Sequence, residues 1–288
     1  MFELTKKLLG LGSKDRNQAD PVHLAPSDEG QPKDELAGVT GLGLRDMVMS
    51  GWFSADKGEL FRGFSVGPDD TVVDVGCGDG GYGVFCARLG AHVIAIDVDE
   101  EVVAAMAKRL EAANPGRNTA YVSDACPLPL SSGLASRVLC MEVLEHVPNP
   151  DAVLAELFRV GKPGALYLLT VPDALQEGLQ KLVAPPSYFQ VPHHIRIIGR
   201  EEFEQMVTRA GFEVLEHTQH GFFWAVWWGL VWACDVDLAE PDHPALDHWA
   251  AAWKAILDQP NGKEYKQKLD VFLPKHRVIV ARKPFTGA

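Results

Sequence analysis

The sequence predicts a doubly wound α/β fold: a mostly parallel, seven-stranded sheet with a helical N-terminal extension and a C-terminal helical insertion. Three observations predict it. From Thr71 onward, short β-branched runs alternate with helical stripes, the pattern of βαβ units. The first run, TVVDV at 71–75, closes on Gly76-Cys77-Gly78-Asp79-Gly80-Gly81 before a helix, a junction where glycine lets backbone approach a ligand and a helix N-terminus faces it. Two stretches, 173–199 and 219–275, interrupt the alternation, and such interruptions are where α/β scaffolds build lids and pockets.

Each element follows in order. Met1 to Leu11 can form a short amphipathic helix or a frayed terminus, and Ser13 to Leu36 is polar without periodicity, so 1–40 is expected to be a flexible lead-in. Leu42 to Phe64 carries Trp52, Phe53, Leu60 and Phe61 at mixed spacing, and helices packing on the following domain are expected there. Thr71–Val75 is the first strand, with a helix to about Leu89 stopped by Gly90. His92–Asp97 is the second. Asp99 can cap the next helix, whose stripe is Val102, Val103, Met106 and Leu110. Thr119–Ser123 and Ser136–Met141 are the third and fourth strands. Asn149-Pro150 starts a helix presenting Val153, Leu154, Leu157 and Phe158, ended by Gly161 and Pro163. Ala165–Val171 is the fifth strand, Glu201–Ala210 a helix stopped by Gly211, Phe212–Glu216 the sixth strand and Arg277–Ala281 the last, with His276 at its edge. The central domain therefore reads as 41–218 with 276–284, and 219–275 as the insertion and possible acceptor lid.

The 288 residues are 47% hydrophobic and 23% charged, which excludes a disordered chain, a collagen and a coiled coil. The 27 basic against 39 acidic residues give a net charge of −12, which argues against a nucleic-acid partner. Five widely spaced cysteines with no C-x-x-C fit a reducing compartment. Met1 to Leu11 lacks the order of a signal peptide, and the longest apolar stretch, Gly221 to Cys234, falls short of the ~20 residues that span a bilayer. A cytoplasmic protein without a transmembrane segment is expected; the oligomeric state stays open.

The chemistry concentrates at strand ends. Gly76, Gly78 and Gly81 also satisfy the dinucleotide pattern G-x-G-x-x-G, so the turn alone is shared by several nucleotide folds. Asp97, at the end of the second strand, can hold both hydroxyls of a ribose or cap a helix, although Asp99 is better placed to cap. Asp124 follows the third strand, and Met141-Glu142-Val143-Leu144-Glu145-His146 follows the fourth.

On these residues the chain resembles the class I S-adenosylmethionine-dependent methyltransferases, and within them the broad group that includes the ubiquinone-biosynthesis O-methyltransferases. VVDVGCGDG (72–80), IAIDVD (94–99), SDACPLPL (123–130), MEVLEHVPNP (141–150) and ELFRVGKPGALYLLTVPD (156–173) carry the resemblance, over about the middle third of the chain. It implies a Rossmann-like sheet of seven strands with the last antiparallel, and S-adenosyl-L-methionine as cofactor. By that resemblance Gly76, Gly78 and Gly80 would line the methionine portion, with Asp74 behind them. Asp97 and Val98 would hold the ribose, Asp124 and Ala125 the adenine, and Met141 would lie near the cofactor with Glu142 at the rim. Asp74 and Asp79, flanking the glycines, suit a cationic sulfonium better than a pyrophosphate. The alternatives are an NAD(P)-dependent oxidoreductase and a non-catalytic cofactor-binding protein.

An alcohol acceptor needs help losing its proton. Glu142, Glu145 and His146 stand at E-x-x-E-H spacing, and Pro192-His193-His194-Ile195-Arg196 lies in the first interruption. Glu142, Glu145, His146 and His194 offer mixed oxygen and nitrogen ligands for a divalent metal such as Mg, resembling metal-dependent 2′-O-methyltransferases of small RNAs and metal-using ubiquinone O-methyltransferases. The metal-free reading makes His194, His193 or His146 a general base. The acceptor is expected to be a small-molecule, sugar or lipid-like compound methylated at oxygen. Phe222, Phe223, Trp224, Trp227, Trp228 and Trp232 crowd one run, with Trp224, Trp228 and Trp232 on one helical face; Leu246, Trp249, Trp253, Ile256 and Leu257 mark a second helix. The two helices can cap the core, wall an acceptor pocket, or meet a membrane interface, the last disfavoured by the absence of Lys and Arg from 221–234.

Overall fold

The computed structural model describes residues 39–238 and 241–285. Of the expected lead-in 1–40, residues 1–38 lie outside them, with the possible helix at Met1–Leu11 and the polar run Ser13–Leu36, and residues 39 and 40 already belong to a helix. The described chain opens with α1 (Val39–Met49), followed by β1 (Trp52–Ser54), β2 (Glu59–Phe61) and β3 (Phe64–Ser65), a small antiparallel sheet. The helices expected up to Phe64 are therefore corrected to one helix and three short strands. Gly51, Gly58 and Gly63 take φ of +99°, +63° and +77°, turns no continuing helix allows, while the aromatic residues between them suit strands. Trp52, Leu60, Phe61 and Phe64 are buried against Val72, Val84 and Phe85 of the main domain.

The main sheet comprises β4 (Thr71–Val75), β5 (His92–Asp97), β6 (Thr119–Val122), β7 (Ala135–Met141), β8 (Gly161–Pro172), β9 (Glu213–His220) and β10 (His276–Arg282). Their spatial order is β6-β5-β4-β7-β8-β10-β9. The first five pair in parallel, and β10 runs antiparallel to both neighbours. This is the seven-stranded, mostly parallel, doubly wound sheet the sequence predicts. His276 is a full member of the last strand rather than its edge, paired with Pro172 and His220, and β9, expected to start over Phe212–Glu216, spans Glu213–His220.

The helices form where caps and stripes coincide. α2 (Gly81–Arg88) leaves the glycine turn, and α3 (Glu100–Ala113) starts at Asp99, whose carboxylate accepts from the Glu101 and Val102 N–H groups. It buries Val103, Met106 and Leu110. α4 (Pro150–Val160) starts at Asn149, which accepts from Ala152 N–H, and buries Val153, Leu154 and Leu157. The first interruption folds as α5 (Ala174–Gln180) and a 3-10 turn, Pro186–Phe189; α6 (Arg200–Arg209) precedes β9.

Between β9 and β10 lie α7 (Phe222–Ala233), α8 (Pro244–Leu257) and α9 (Gly262–Phe272). Phe223, Trp227, Trp228, Leu246, Trp253 and Leu257 are buried in one cluster with Leu42 of α1. Each such side chain, fully buried, contributes about 1.5–3 kcal/mol. The sequence shows two of these helices but not α9, because α9 turns Lys266 and Asp270 inward instead of an apolar stripe. Lys266 Nζ lies 2.5 Å from Asp270 Oδ2, 2.7 Å from Ser50 Oγ and 3.3 Å from Asp46 Oδ2. Asp270 Oδ1 accepts from Gly221 and Phe222 N–H at 3.0 Å, capping α7, and Trp253 Nε1 donates to Asp46 Oδ1. Among the described residues, no helix is long and apolar enough to cross a membrane.

Candidate active site

The parallel strands deliver the glycine turn and the acids to one edge of the sheet. The turn after β4 is tied to β5 by Gly76 and Cys77 N–H groups donating to Ile96 O at 2.8 and 3.0 Å. Gly76 has φ +70°, and a Cβ there would lie 2.3 Å from Val143 Cγ2. Gly78, at φ +51°, donates its N–H to Asp97 Oδ2 at 3.0 Å, and a Cβ on it would meet nothing closer than Gly76 O at 3.9 Å. The space beside Gly78 is thus open. At Gly80, φ +78°, a Cβ would fall 2.1 Å from Met106 Sδ, so glycine is needed there to seat α3 beneath the turn.

Asp97 is buried and its carboxylate is fixed by two backbone donors, Gly78 N–H and Asp99 N–H (3.1 Å). Val98, beside it, is 71% exposed at the rim. Asp74 lies under the turn with Oδ2 unpartnered. Burial, then the negative charges of Asp97 and Asp79, push its carboxyl up to about 7. Asp124 is exposed past the end of β6, where its carboxylate accepts from Cys126 N–H; Ala125 is buried beside it at φ +66°. Met141 is buried at the end of β7.

The second part of the site begins one residue later. Glu142, at φ +54°, is held by its own N–H donating to Thr170 O and Oγ1, both at 3.1 Å. Its Oε2 lies 3.1 Å from His276 Nδ1. Burial works to raise this carboxyl, but His276, Lys275 and Thr170 together hold it at about 2. Glu145 is wholly buried with neither oxygen hydrogen-bonded. Burial first, and the Glu142 charge next, push its carboxyl far up. His146 Nδ1 lies 3.3 Å from Pro192 O and its Nε2 3.7 Å from Glu145 Oε1. Burial, with His194 adding to it, lowers the imidazole to about 4, so it stays neutral. The His146 and His194 rings meet edge-on, 4.8 Å between centroids.

Of the four residues expected to share a metal, the fold brings three together. Ligand atoms of Glu145, His146 and His194 all lie within 4.8 Å of one another. Glu142 stands apart from that trio because His276 claims its carboxylate. His193 is buried but also outside the trio; its N–H donates to Gln190 O and its imidazole is lowered by burial and by His194.

Sequence reasoning missed several neighbours. His194 Nδ1 lies 2.7 Å from Glu177 Oε2, and Lys275 Nζ 3.7 Å from Glu177 Oε1. Tyr188 Oη is 3.5 Å from His194 Nε2, and its ring is 5.3 Å from Trp232. The available signal was the inward run Gln176, Glu177 and Gln180 on α5, polar residues that the structure buries. Trp232 and Trp228 stack at 5.6 Å between centroids, while Trp224 meets Trp227 edge-on, so the expected single tryptophan face divides between two partners. Phe223 stacks on Trp249 and Trp253 of α8, which is the core-capping arrangement.

The chain is similar to known proteins in sequence and in fold. A family model described as a methyltransferase domain matches residues 48–217. The ubiquinone biosynthesis O-methyltransferase of Thiobacillus denitrificans is 34% identical over 161 residues, 51% of this chain and 66% of that protein. The enzyme of the same name from Hahella chejuensis is 39% identical over 107 residues, 36% of this chain and 44% of its own length. The one from Pseudoalteromonas translucida is 33% identical over 141 residues, 48% and 53%. This chain thus spans about half the length of the curated relatives it matches. Among solved structures, the cyclase SpnF superposes with TM-score 0.52 at 24% identity, covering 76% of each chain. Geranyl diphosphate methyltransferase superposes with TM-score 0.51 at 16% identity, covering 76% and 74%. Those two likenesses show the fold, and one fold hosts both a cyclase and a methyltransferase.

Proposed function

This chain belongs to the methyltransferase-domain family, and from that premise we propose that it transfers the methyl group of S-adenosyl-L-methionine to an oxygen of a small-molecule acceptor, sugar-like or lipid-like. The family match sets aside the oxidoreductase alternative. One observation supports the reading: Val143 packs on Gly76 of the turn, so the acid–histidine cluster that follows β7 begins beside the glycine turn. An acceptor bound among Glu145, His146 and His194 would lie next to a cofactor bound at Gly78 and Asp97.

The residues fit that cofactor. The turn is open beside Gly78, Asp97 is aimed by two backbone N–H groups, and Asp74, with Oδ2 unpartnered, sits in a field of negative charge. Such a field suits a cation and repels a pyrophosphate. When bound, the sulfonium supplies the electrophilic methyl group. Asp97 and Val98 would take the ribose, Asp124 and Ala125 the adenine, and Gly76, Gly78 and Met141 the methionine end. The chain's part is to orient the acceptor and receive its proton. His194 is the base of this reading, with its Nε2 toward Tyr188 and the His146 ring. His146 and Glu145 would hold further hydroxyls of the acceptor, and Tyr188 and Trp232 would form its apolar wall.

A second reading is favoured by one observation: both Glu145 oxygens lack a hydrogen-bond partner while His146 and His194 present nitrogens to the same space. Glu145, His146 and His194 would there hold a divalent ion such as Mg, which acidifies a bound hydroxyl. Location in the cytoplasm belongs to the same proposal.

Isothermal titration with S-adenosyl-L-methionine, with and without chelator and added magnesium, tests both readings. Absence of cofactor binding removes the methyltransferase proposal. Cofactor binding without methyl transfer to any of a panel of catechols, sugars and prenylated phenols favours the non-catalytic alternative. Magnesium binding that Glu145→Ala abolishes would select the metal reading.

A further inference from the structure

His194 is not a lone histidine in a loop. Its Nδ1 lies 2.7 Å from Oε2 of Glu177, a residue 17 positions earlier on α5 and 1% exposed. A carboxylate can only accept at that contact, so the ring proton sits on Nδ1. In the neutral ring Nε2 then carries no proton; it lies 3.5 Å from the Tyr188 hydroxyl, and the His146 and His194 rings meet edge-on beside it.

Glu177 is itself held from two further directions. Lys275, just ahead of β10, brings its ammonium to 3.7 Å of Oε1. Gln180, one turn along α5, donates Nε2 to the same oxygen at 3.3 Å. The Gln180 amide is fixed in turn by Trp232 of α7, whose Nε1 donates to Gln180 Oε1 at 2.7 Å. Glu177 Oε2 thus meets the imidazole while Oε1 meets an ammonium and an amide N–H, a set of donors that suits a carboxylate.

We propose that Glu177 is the positioning residue of the site: it locks His194 as the Nδ1–H tautomer with Nε2 presented to the acceptor, and Gln180 and Trp232 couple that lock to the tryptophan-rich helix. The proposal deepens the methyltransferase reading and rests on it for the identity of the acceptor space. The lock itself holds whether Nε2 takes a proton or a metal ion, since a carboxylate behind the other nitrogen fixes ring and tautomer in either case. It also gives α7 a role beyond packing, because the Trp232 ring forms one wall beside Tyr188 while its N–H holds the Glu177 lock.

The test is nitrogen NMR of protein labelled with 15N-histidine at pH 8, His194 being assigned by its loss in His194→Gln. The expected wild-type spectrum shows His194 protonated at Nδ1 and bare at Nε2. Glu177→Ala should lose that preference, whereas Glu177→Gln, whose amide oxygen still accepts, should retain it. With 3,4-dihydroxybenzoate as methyl acceptor, Glu177→Ala should lower kcat roughly 10–100-fold, leave KM for S-adenosyl-L-methionine unchanged, and be largely rescued in Glu177→Gln. An Nε2–H tautomer in the wild type overturns the proposal, as does an unchanged tautomer in a folded Glu177→Ala. If Glu177→Ala does not fold, the wild-type spectrum and Trp232→Phe, expected to loosen the tautomer preference, still decide. Failure of the wild type to bind S-adenosyl-L-methionine would instead remove the methyltransferase reading and leave the tautomer result standing.

Discussion

At the scale of single residues, the two halves of the site are separable. The Asp97 carboxylate accepts from the glycine turn and the start of α3, whereas His194 meets Glu177, Tyr188 and His146 on the proposed acceptor side. Asp97→Ala should therefore weaken S-adenosyl-L-methionine binding at least tenfold by titration calorimetry, since a hydrogen-bonded charge contributes ~1.5–3 kcal/mol. His194→Ala should leave that affinity intact and cut turnover by roughly 10²–10⁴, the usual worth of a general base. Asp74 offers a sharper check. Its carboxyl is raised to about 7 by burial and by Asp97 and Asp79, and a cationic sulfonium favours the ionised form. Affinity for S-adenosyl-L-methionine should rise as pH increases through 7. The neutral product S-adenosylhomocysteine should show little of that dependence, and Asp74→Asn should abolish it for both.

At the scale of elements, the insertion is pinned to the domain by charge as well as by tryptophan. Lys266 of α9 is fully buried between Asp270 and Asp46 of α1, and Asp270 caps α7. Lys266→Met would leave two buried carboxylates without their cation, a loss of about 3–5 kcal/mol. The midpoint of urea unfolding should fall accordingly, and near-ultraviolet circular dichroism from the α7 and α8 tryptophans should weaken. An unchanged midpoint would mean that the aromatic cluster alone holds the insertion. The same element explains a failure of pattern reading. The apolar stripe of α8 is visible in the sequence, but the inward face of α9 is a buried ion pair, and no hydrophobic period marks it.

At the scale of the whole molecule, buried acids set the response to pH. Asp46 is raised to about 6, mainly by burial, and Asp74 to about 7. Groups whose folded pKa lies above the unfolded value give stability that is full at low pH and lost as pH rises through the folded value. Glu142, held at about 2, and Glu177, held below its usual range, act oppositely and lose their contribution as pH falls below the ordinary carboxylate range. For these four groups together, thermal stability should peak near pH ~5 and decline toward pH ~8. Scanning calorimetry of the Asp46→Asn and Asp74→Asn double variant should show that alkaline decline flattened.

The sequence by itself determined the sheet, its strand count and most helix boundaries, because alternation of β-branched runs, Asp99 and Asn149 caps, and glycine stops are local signals. It also put the glycine turn, Asp97 and Asp124 at the ends of neighbouring strands, the edge proposed here for the cofactor. Tertiary structure alone decided three things. It turned the aromatic stretch after α1 into a small sheet, where glycines at positive φ override the apolar spacing. It divided E-x-x-E-H, giving Glu142 to His276 and leaving Glu145 and His146 to meet His194. It set Glu177 against the His194 imidazole, with Lys275 on the other Glu177 oxygen and Trp232 on Gln180, from three separate segments. Partners so distant in the chain share no period or spacing. Only packing, which charges a high cost for each unsatisfied buried polar group, selects them.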